Sequence, residues 1–329
     1  MTRIGLIGTG HFGAVHARAL KTQPDAVLAA VCAPDAATAK AFADIHGGEP
    51  YSDWRRMLER ADIDAVVIAT PHHLHEEMVI AAAQAGKHVF LEKPMAPTVA
   101  ACTRISEAAD VADIVLMIGH VAHFFRPIMA ARAIIDGGTL GRPITGFSTY
   151  VKLWMEANRR DWHLKPETGG GMLMTAGIHA LDQFVWLMGG TVAGVSALAG
   201  TCFHDQEADD TAFIGLRFAD GRVGQVGSIG YRDGAVSSFA QIVCEHGVID
   251  IDLDRGVRIG RGGAWQDVPD SYQADAMQNA VAREWGAFLA SIHDGSPSPV
   301  DGRYGRHIVS IIDAALRSSK EGREIAITP

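Results

Sequence analysis

Two stretches of this 329-residue chain hold side chains suited to moving a proton and steadying charge on oxygen. In "FLEKP" a short apolar run ends in Glu92, Lys93 and Pro94. That is the carboxyl end of a strand, where ligands of open α/β sheets sit. The proline argues for a fixed turn under the lysine. In "GGGMLMTAGIHALD", residues 169–182, three glycines open an oily helix interrupted by Thr175, His179 and Asp182. Regular α-helical spacing predicts that these three share one face. A histidine exchanges a proton near neutral pH, and a lysine ammonium stabilises alkoxide character on oxygen. Met172, Leu173, Met174, Ile178 and Leu181 read as core packing, and Asp182 as chiefly structural.

The elements that must position these residues follow from the apolar rhythm. Through about residue 120, short runs ("RIGLIG", "AVLAAVC", "DAVVIA", "HVFLE", "IVLMIG") alternate with helix-like segments at His11 to about Lys21 and near 36–46, 75–85 and 98–109. The runs are apolar throughout, as parallel strands buried on both faces are, which predicts a doubly wound α/β sheet. After residue 120 the rhythm changes. A helix near 127–136 and a strand in "PITGFSTYVKLWM" precede strand-like runs with glycine turns over about 191–269. Among these, "FADGRVGQV" is a hairpin candidate. Two helical stretches, about 275–294 and 304–320, follow. The expected class is α/β, with domains at 1–120 (doubly wound, parallel) and 121–329 (α+β, mainly antiparallel with helices on one side). The C-terminal helix is placed so that it could return to the first domain.

"GTGHFG" places Gly8, Gly10 and Gly13 in G-x-G-x-x-G spacing between a strand and a helix, with Thr9, His11 and Phe12 in the same loop. The first glycine permits the tight turn, the second lets backbone approach a pyrophosphate, and the third lets helix and strand pack closely. This points to a dinucleotide. At the end of the second strand, where an acid marks NAD, stands Ala33; Asp35 reads as a helix cap and Lys40 is the first basic side chain, so NAD and NADP both remain open. "IATPHHLH" adds Thr70, Pro71, His72, His73 and His75 at another strand end; the histidines read as caps and surface groups, and no metal site is expected.

Composition narrows the rest. Apolar residues make up 48%, charged ones 20%, and the net charge is −9, which argues against a non-specific nucleic-acid or anionic-membrane surface. The four cysteines, Cys32, Cys102, Cys202 and Cys244, form no CxxC pair and fit a reducing compartment. The N-terminus lacks the pattern of a secretory signal and no apolar run is long enough to span a membrane, so a cytoplasmic protein is expected.

Taken together, "GTGHFG", "ATPHHLH", "AGKHVFLEKPMA", "GGGMLMTAGIHALD" and "VDGRYGRHIVSIIDAALRSSKEGREIAI" resemble the glucose–fructose oxidoreductase / inositol dehydrogenase / MocA-type (Gfo/Idh/MocA) family, in family order over nearly the whole chain. The resemblance implies a Rossmann domain that binds NAD or NADP and a C-terminal domain whose open sheet forms a homodimer or homotetramer. It also implies that Lys93 contacts substrate and cofactor hydroxyls, and that His179 is the acid/base. The cofactor would lie along Gly8, Thr9, Gly10, His11, Phe12, Gly13, Ala33, Thr70, Pro71, His75, Glu92 and Lys93. The expected activity interconverts a secondary alcohol and a ketone on a sugar, cyclitol or related polyhydroxylated molecule. Alternatives are a dihydrodiol- or aromatic-type dehydrogenase, an NAD-dependent glycosidase, or a non-catalytic dinucleotide-binding regulator. Where many relatives carry an aspartate one turn before the histidine, this chain has Thr175, which implies either a less basic His179 or one oriented by another group, and puts a standard polyol substrate in doubt. Substrate contacts are expected from Thr175, from Arg159, Arg160, Trp162, His163 and Lys165 ahead of the helix, and from Tyr150 and Lys152. Many relatives have an arginine about where His123 stands.

Overall fold

The computed structural model describes residues 1–154, 160–274 and 276–327. The chain divides into two compact units, Met1–Val121 with Met277–Arg306, and Ala122–Ala276 with His307–Pro329.

In the first unit the apolar runs form β1 (Thr2–Ile7), β2 (Ala26–Cys32), β3 (Glu49–Tyr51), β4 (Ala65–Ile68), β5 (His88–Glu92) and β6 (Leu116–Gly119). The helices between them are α1 (His11–Leu20), α2 (Ala36–His46), α3 (Trp54–Leu58), α4 (His75–Gln84) and α5 (Val99–Val111). The six strands are parallel in the order β3-β2-β1-β4-β5-β6. The order reverses between β1 and β4, and ligands of such sheets bind at that switch point. Side-chain caps start the helices: Asp35 accepts from Thr38 N–H at the head of α2, and Thr98 from Ala101 N–H at the head of α5. Helix α1 begins instead at Gly10, with no side-chain cap.

The second unit holds α6 (Arg126–Asp136), β7 (Pro143–Leu153) and α7 (Ile178–Met188), then β8 (Val192–Gly200), β9 (Thr211–Phe218), β10 (Val223–Tyr231), β11 (Ser237–Cys244), β12 (Gly247–Asp252), β13 (Gly256–Arg261) and β14 (Ala264–Asp267). Helix α8 (Ala276–Asp294) follows, its residues from Met277 belonging to the first unit, where Trp285 and Phe288 close on Phe90 with ring centres 5.0 and 5.4 Å away. The last elements are α9 (Gly302–Glu321) and β15 (Ile325–Ala326). The nine-stranded sheet runs β14-β13-β12-β11-β7-β10-β9-β8-β15 and is antiparallel except for the central β7–β10 pair. The Asp-Gly hairpin is β9–β10.

The short β3 and α3 have no counterpart in the apolar reading, because an exposed three-residue strand carries no periodicity. Two of the histidines expected at the surface are core: His72 and His75 are 4% and 0% exposed, and only His73 faces solvent. Among the described residues no helix is long and apolar enough to cross a membrane, and no cluster of three or more His, Cys, Asp or Glu side chains could hold a metal.

The glycine loop allows a direct test. A Cβ on Gly13 would lie 2.0 Å from the Gly8 carbonyl oxygen, whereas one on Gly10 would meet nothing within 4 Å. Gly13→Ala should therefore destabilise the protein by about 1–3 kcal/mol in urea unfolding, and Gly10→Ala should leave it nearly unchanged.

Candidate active site

At the switch point each glycine does a separate job. Gly8 has φ +106°, and a Cβ there would lie 2.2 Å from the Ala69 carbonyl oxygen, so only glycine lets the loop after β1 approach the turn after β4. The open side of Gly10, at the uncapped start of α1, is a cradle that a side chain would fill, and it fits a pyrophosphate held by backbone N–H groups. Thr9 and Phe12 flank it half-buried, and His11 is exposed. Ala33, just after β2, is buried, its N–H donating to the Tyr51 carbonyl. Asp35 is the helix cap, its two oxygens accepting from the Thr38 N–H and hydroxyl at 2.8 and 2.7 Å. Those bonds hold its carboxyl below the ordinary range. Lys40, the first basic side chain to follow in the sequence, is engaged by Asp44 at 2.8 Å.

The "EKP" turn is held from both sides. Glu92 is buried: Oε1 bonds the His16 ring at 2.8 Å, and Oε2 accepts the Lys93 N–H at 3.2 Å. Its carboxylate therefore fixes the backbone of Lys93. His16, on α1, is a residue sequence reasoning missed, and its signal is its place three residues after Gly13. His75 is fully buried, its ring nitrogens 3.0 Å from the Pro94 and Thr70 carbonyl oxygens. Burial pushes its pKa down, so the neutral ring donates to one carbonyl at a time. This side chain ties the Thr70–Pro71 turn to the "EKP" turn. Lys93 is half-buried, and its peptide bond to Pro94 is cis.

In the second unit the glycine triplet is needed residue by residue. Gly169 has φ +76°, ending a 3₁₀ turn. A Cβ on Gly170 would lie 2.5 Å from the His163 carbonyl oxygen, and Gly171, at φ +96°, faces Asp209 Oδ1 at 2.3 Å from such a Cβ. Asp209 then caps the helix start, its Oδ2 accepting from Leu173 N–H at 2.9 Å while its backbone carbonyl accepts from Met172 N–H at 2.8 Å. The widened π turn Leu173–Gly177 leads into α7 and interrupts the regular α spacing that was expected. Thr175 and His179 stay half-buried, but Asp182 is turned wholly inward, where Oδ1 meets His123 Nε2 at 2.8 Å. The expectation that all three share one helical face is therefore corrected for Asp182, whose burial accords with its reading as chiefly structural. His123 also stacks on Trp186 at 4.3 Å between ring centres.

Helix α7 is tied along its length. Gln183 donates to Ser148 at 2.7 Å, and Arg222 donates to the carbonyls of Met188 and Gly189 at its C-terminal end, where a cation suits the helix dipole. Tyr150 lies edge-on to His179, with ring centres 6.3 Å apart, so the structure brings these two side chains together. His163 is buried instead, stacked on Trp162 at 3.5 Å and accepting the Arg160 N–H on Nδ1. Trp162 is half-buried, and Arg160 and Lys165 are exposed; Arg159 lies outside the described residues.

Residues 2–120 match the NAD-binding Rossmann domain of the GFO/IDH/MocA oxidoreductases, and residues 128–250 match the GFO/IDH/MocA C-terminal domain. The chain belongs to this family. It is 27% identical to the myo-inositol 2-dehydrogenase of Thermotoga maritima over 99% of this chain and 98% of that protein. It is 33% identical to the 2,7-anhydro-N-acetylneuraminate hydratase of Mediterraneibacter gnavus over 66% of this chain. The first curated relatives are matched over only 61% and 58% of their own lengths. A levoglucosan dehydrogenase solved with NADH shares the fold, with TM-score 0.91 at 24% identity over 99% of both chains.

The cap on α7 carries a pH signature. Burial pushes the Asp209 carboxyl up to about 7, and the nearby charge of Asp210 adds to it against the Leu173 hydrogen bond. In an unfolded chain the group titrates near ~4. The folded state thus keeps a proton that the unfolded state has lost, so its contribution is full below about pH 4 and is lost as the pH rises towards 7. Asp209→Asn keeps an oxygen acceptor for Leu173 without the proton. Urea unfolding from pH 4 to 8 should show the wild type losing a few kcal/mol that the variant does not lose, since each tenfold difference in proton affinity between the folded and unfolded chain is worth about 1.4 kcal/mol.

Proposed function

We propose that the protein is an NAD-dependent oxidoreductase that interconverts a secondary alcohol and a ketone on a sugar, cyclitol or related polyhydroxylated small molecule. The observation that carries this is the half-exposed His179 on a helix fixed at both ends, in a chain whose other unit has an open phosphate cradle at Gly10. A nicotinamide dinucleotide, held at the Gly8–Gly13 loop, would supply the hydride acceptor for oxidation of the carbinol carbon. His179 takes the hydroxyl proton as that carbon is oxidised, and returns it in the reverse direction. The Lys93 ammonium is suited to stabilising negative charge on a substrate oxygen. Thr175 and Tyr150 supply hydroxyls for orienting the substrate. The inositol dehydrogenase relative supports a polyol substrate.

NAD is favoured over NADP by charge. The head of α2 presents the ionised Asp35, and Lys40 is engaged by Asp44, which leaves a 2′-phosphate facing repulsion at this end of β2. Fluorescence titration should show NADH binding at least about 10-fold more tightly than NADPH. In an NAD-dependent polyol screen, His179→Ala should then lower kcat by about 10²–10⁴-fold with unchanged NADH affinity. Binding of neither nucleotide overturns the reading.

A homo-oligomer formed through the second unit's sheet is part of the same proposal. The sheet face away from α7 exposes Phe147, Leu153, Leu198 and Phe213 at 36–76%. Phe213→Asp should yield a smaller species in sedimentation velocity, and an unchanged sedimentation coefficient would exclude this face.

A further inference from the structure

Strand β7 alternates its side chains between two faces. Ser148 faces α7, where it accepts from Gln183, and Tyr150 faces the same helix one turn nearer its start, edge-on to His179. Lys152 is the next residue on that face, towards the π turn that carries Thr175. Its register neighbour on β10 is Gly230, which offers no side chain, and the β11 ladder stops at the preceding pair, Ser237 with Val151. Lys152 is half-buried, and burial alone pushes its ammonium below the ordinary range. Among the described residues no carboxylate or carbonyl accepts from it. The charge of Asp254 adds to burial in raising the Tyr150 phenol, and has no counterpart at Lys152. A partly desolvated cation without a counterion is unfavourable, and an anion arriving with the substrate relieves it. Thr175 adds a hydroxyl and no negative charge that would repel such an anion.

We propose that Lys152 is a specificity-determining residue that receives a carboxylate of the substrate, so that the polyol oxidised is an acid: a carboxylated sugar or cyclitol. The inference rests on the dehydrogenase reading above and narrows its substrate. A single ammonium matches a monoanion; a phosphate dianion asks for more donors than Lys152 alone provides. The carboxylate lies remote from the reacting carbon, takes no part in the hydride or proton transfer, and acts through binding.

The test is steady-state kinetics with NAD on paired substrates: D-gluconate against D-glucitol, D-galacturonate against D-galactose, and quinate against myo-inositol. For at least one pair the wild type should favour the acid, and Lys152→Met should lower that preference by about 10- to 100-fold, mostly through KM, with unchanged NADH affinity. Lys152→Arg should recover part of it. Preference for the neutral member of every pair, or an acid-to-neutral ratio that Lys152→Met does not move, overturns the proposal and leaves the dehydrogenase reading standing. Turnover of no substrate by protein that binds NADH overturns both. A second measurement needs no variant: the acids should inhibit turnover of a neutral polyol more strongly than their methyl esters, and equal inhibition also overturns the proposal.

Discussion

A helix approaches a sheet only as closely as the side chains between them permit, and the second unit depends on how little lies between α7 and β10. The face of β10 towards the helix carries Gly224, Val226, Ser228 and Gly230. A Cβ on Gly177 would lie 2.1 Å from Ser228 Oγ, one on Gly224 would lie 2.3 Å from the Phe184 ring, and one on Gly230 would lie 3.2 Å from Met172 Cγ just ahead of the π turn. The helix is therefore seated almost backbone to backbone on the central strands. At that separation a side chain displaced by one residue meets a different environment, which is how His179 and Asp182, three residues apart, come to occupy a half-open face and a closed interior.

The ties around this seat share a chemical pattern. Asp209 serves the N–H groups at the start of the π turn as an acceptor, and Arg222 serves the carbonyls at the end of α7, where its positive charge suits the helix dipole. Asp209 belongs to a loop that Asp210 organises. Burial works against the charge of Asp210, but the N–H groups of Cys202 and Phe203, with Thr211 and His204, hold its carboxyl below the ordinary range. Two adjacent aspartates thus take opposite protonation behaviour from their surroundings: one is surrounded by donors, and the other is buried with few.

The first unit solves a comparable problem with turns. Glu92 and His75 are both buried and both spend their polar atoms on structure around Lys93: one on its N–H and the His16 ring, the other on the carbonyls of Thr70 and Pro94. Two side chains expected from sequence at the cofactor thus also hold the backbone around Lys93. Lysine has four rotatable carbons in its side chain, so rigid placement of its Cα is the contribution the fold can make.

Much of the architecture was legible in the chain itself. Continuous apolar runs marked the parallel strands, because both faces of that sheet are buried; "DG" placed the β9–β10 turn, where Gly221 takes φ +87°, and G-x-G-x-x-G placed the loop after β1, where Gly8 and Gly13 leave no room for a Cβ. What sequence could not supply was the direction of polar side chains, which depends on which neighbours burial leaves available. The inward rotation of Asp182, the tie from His75 to Pro94 and the capping by Asp209 arise from partners distant in sequence, such as the 59 residues separating His123 from Asp182. The sequence determined which residues have the chemistry; the tertiary structure decided which of them remain exposed to use it, because a buried polar group must spend its hydrogen bonds on the protein.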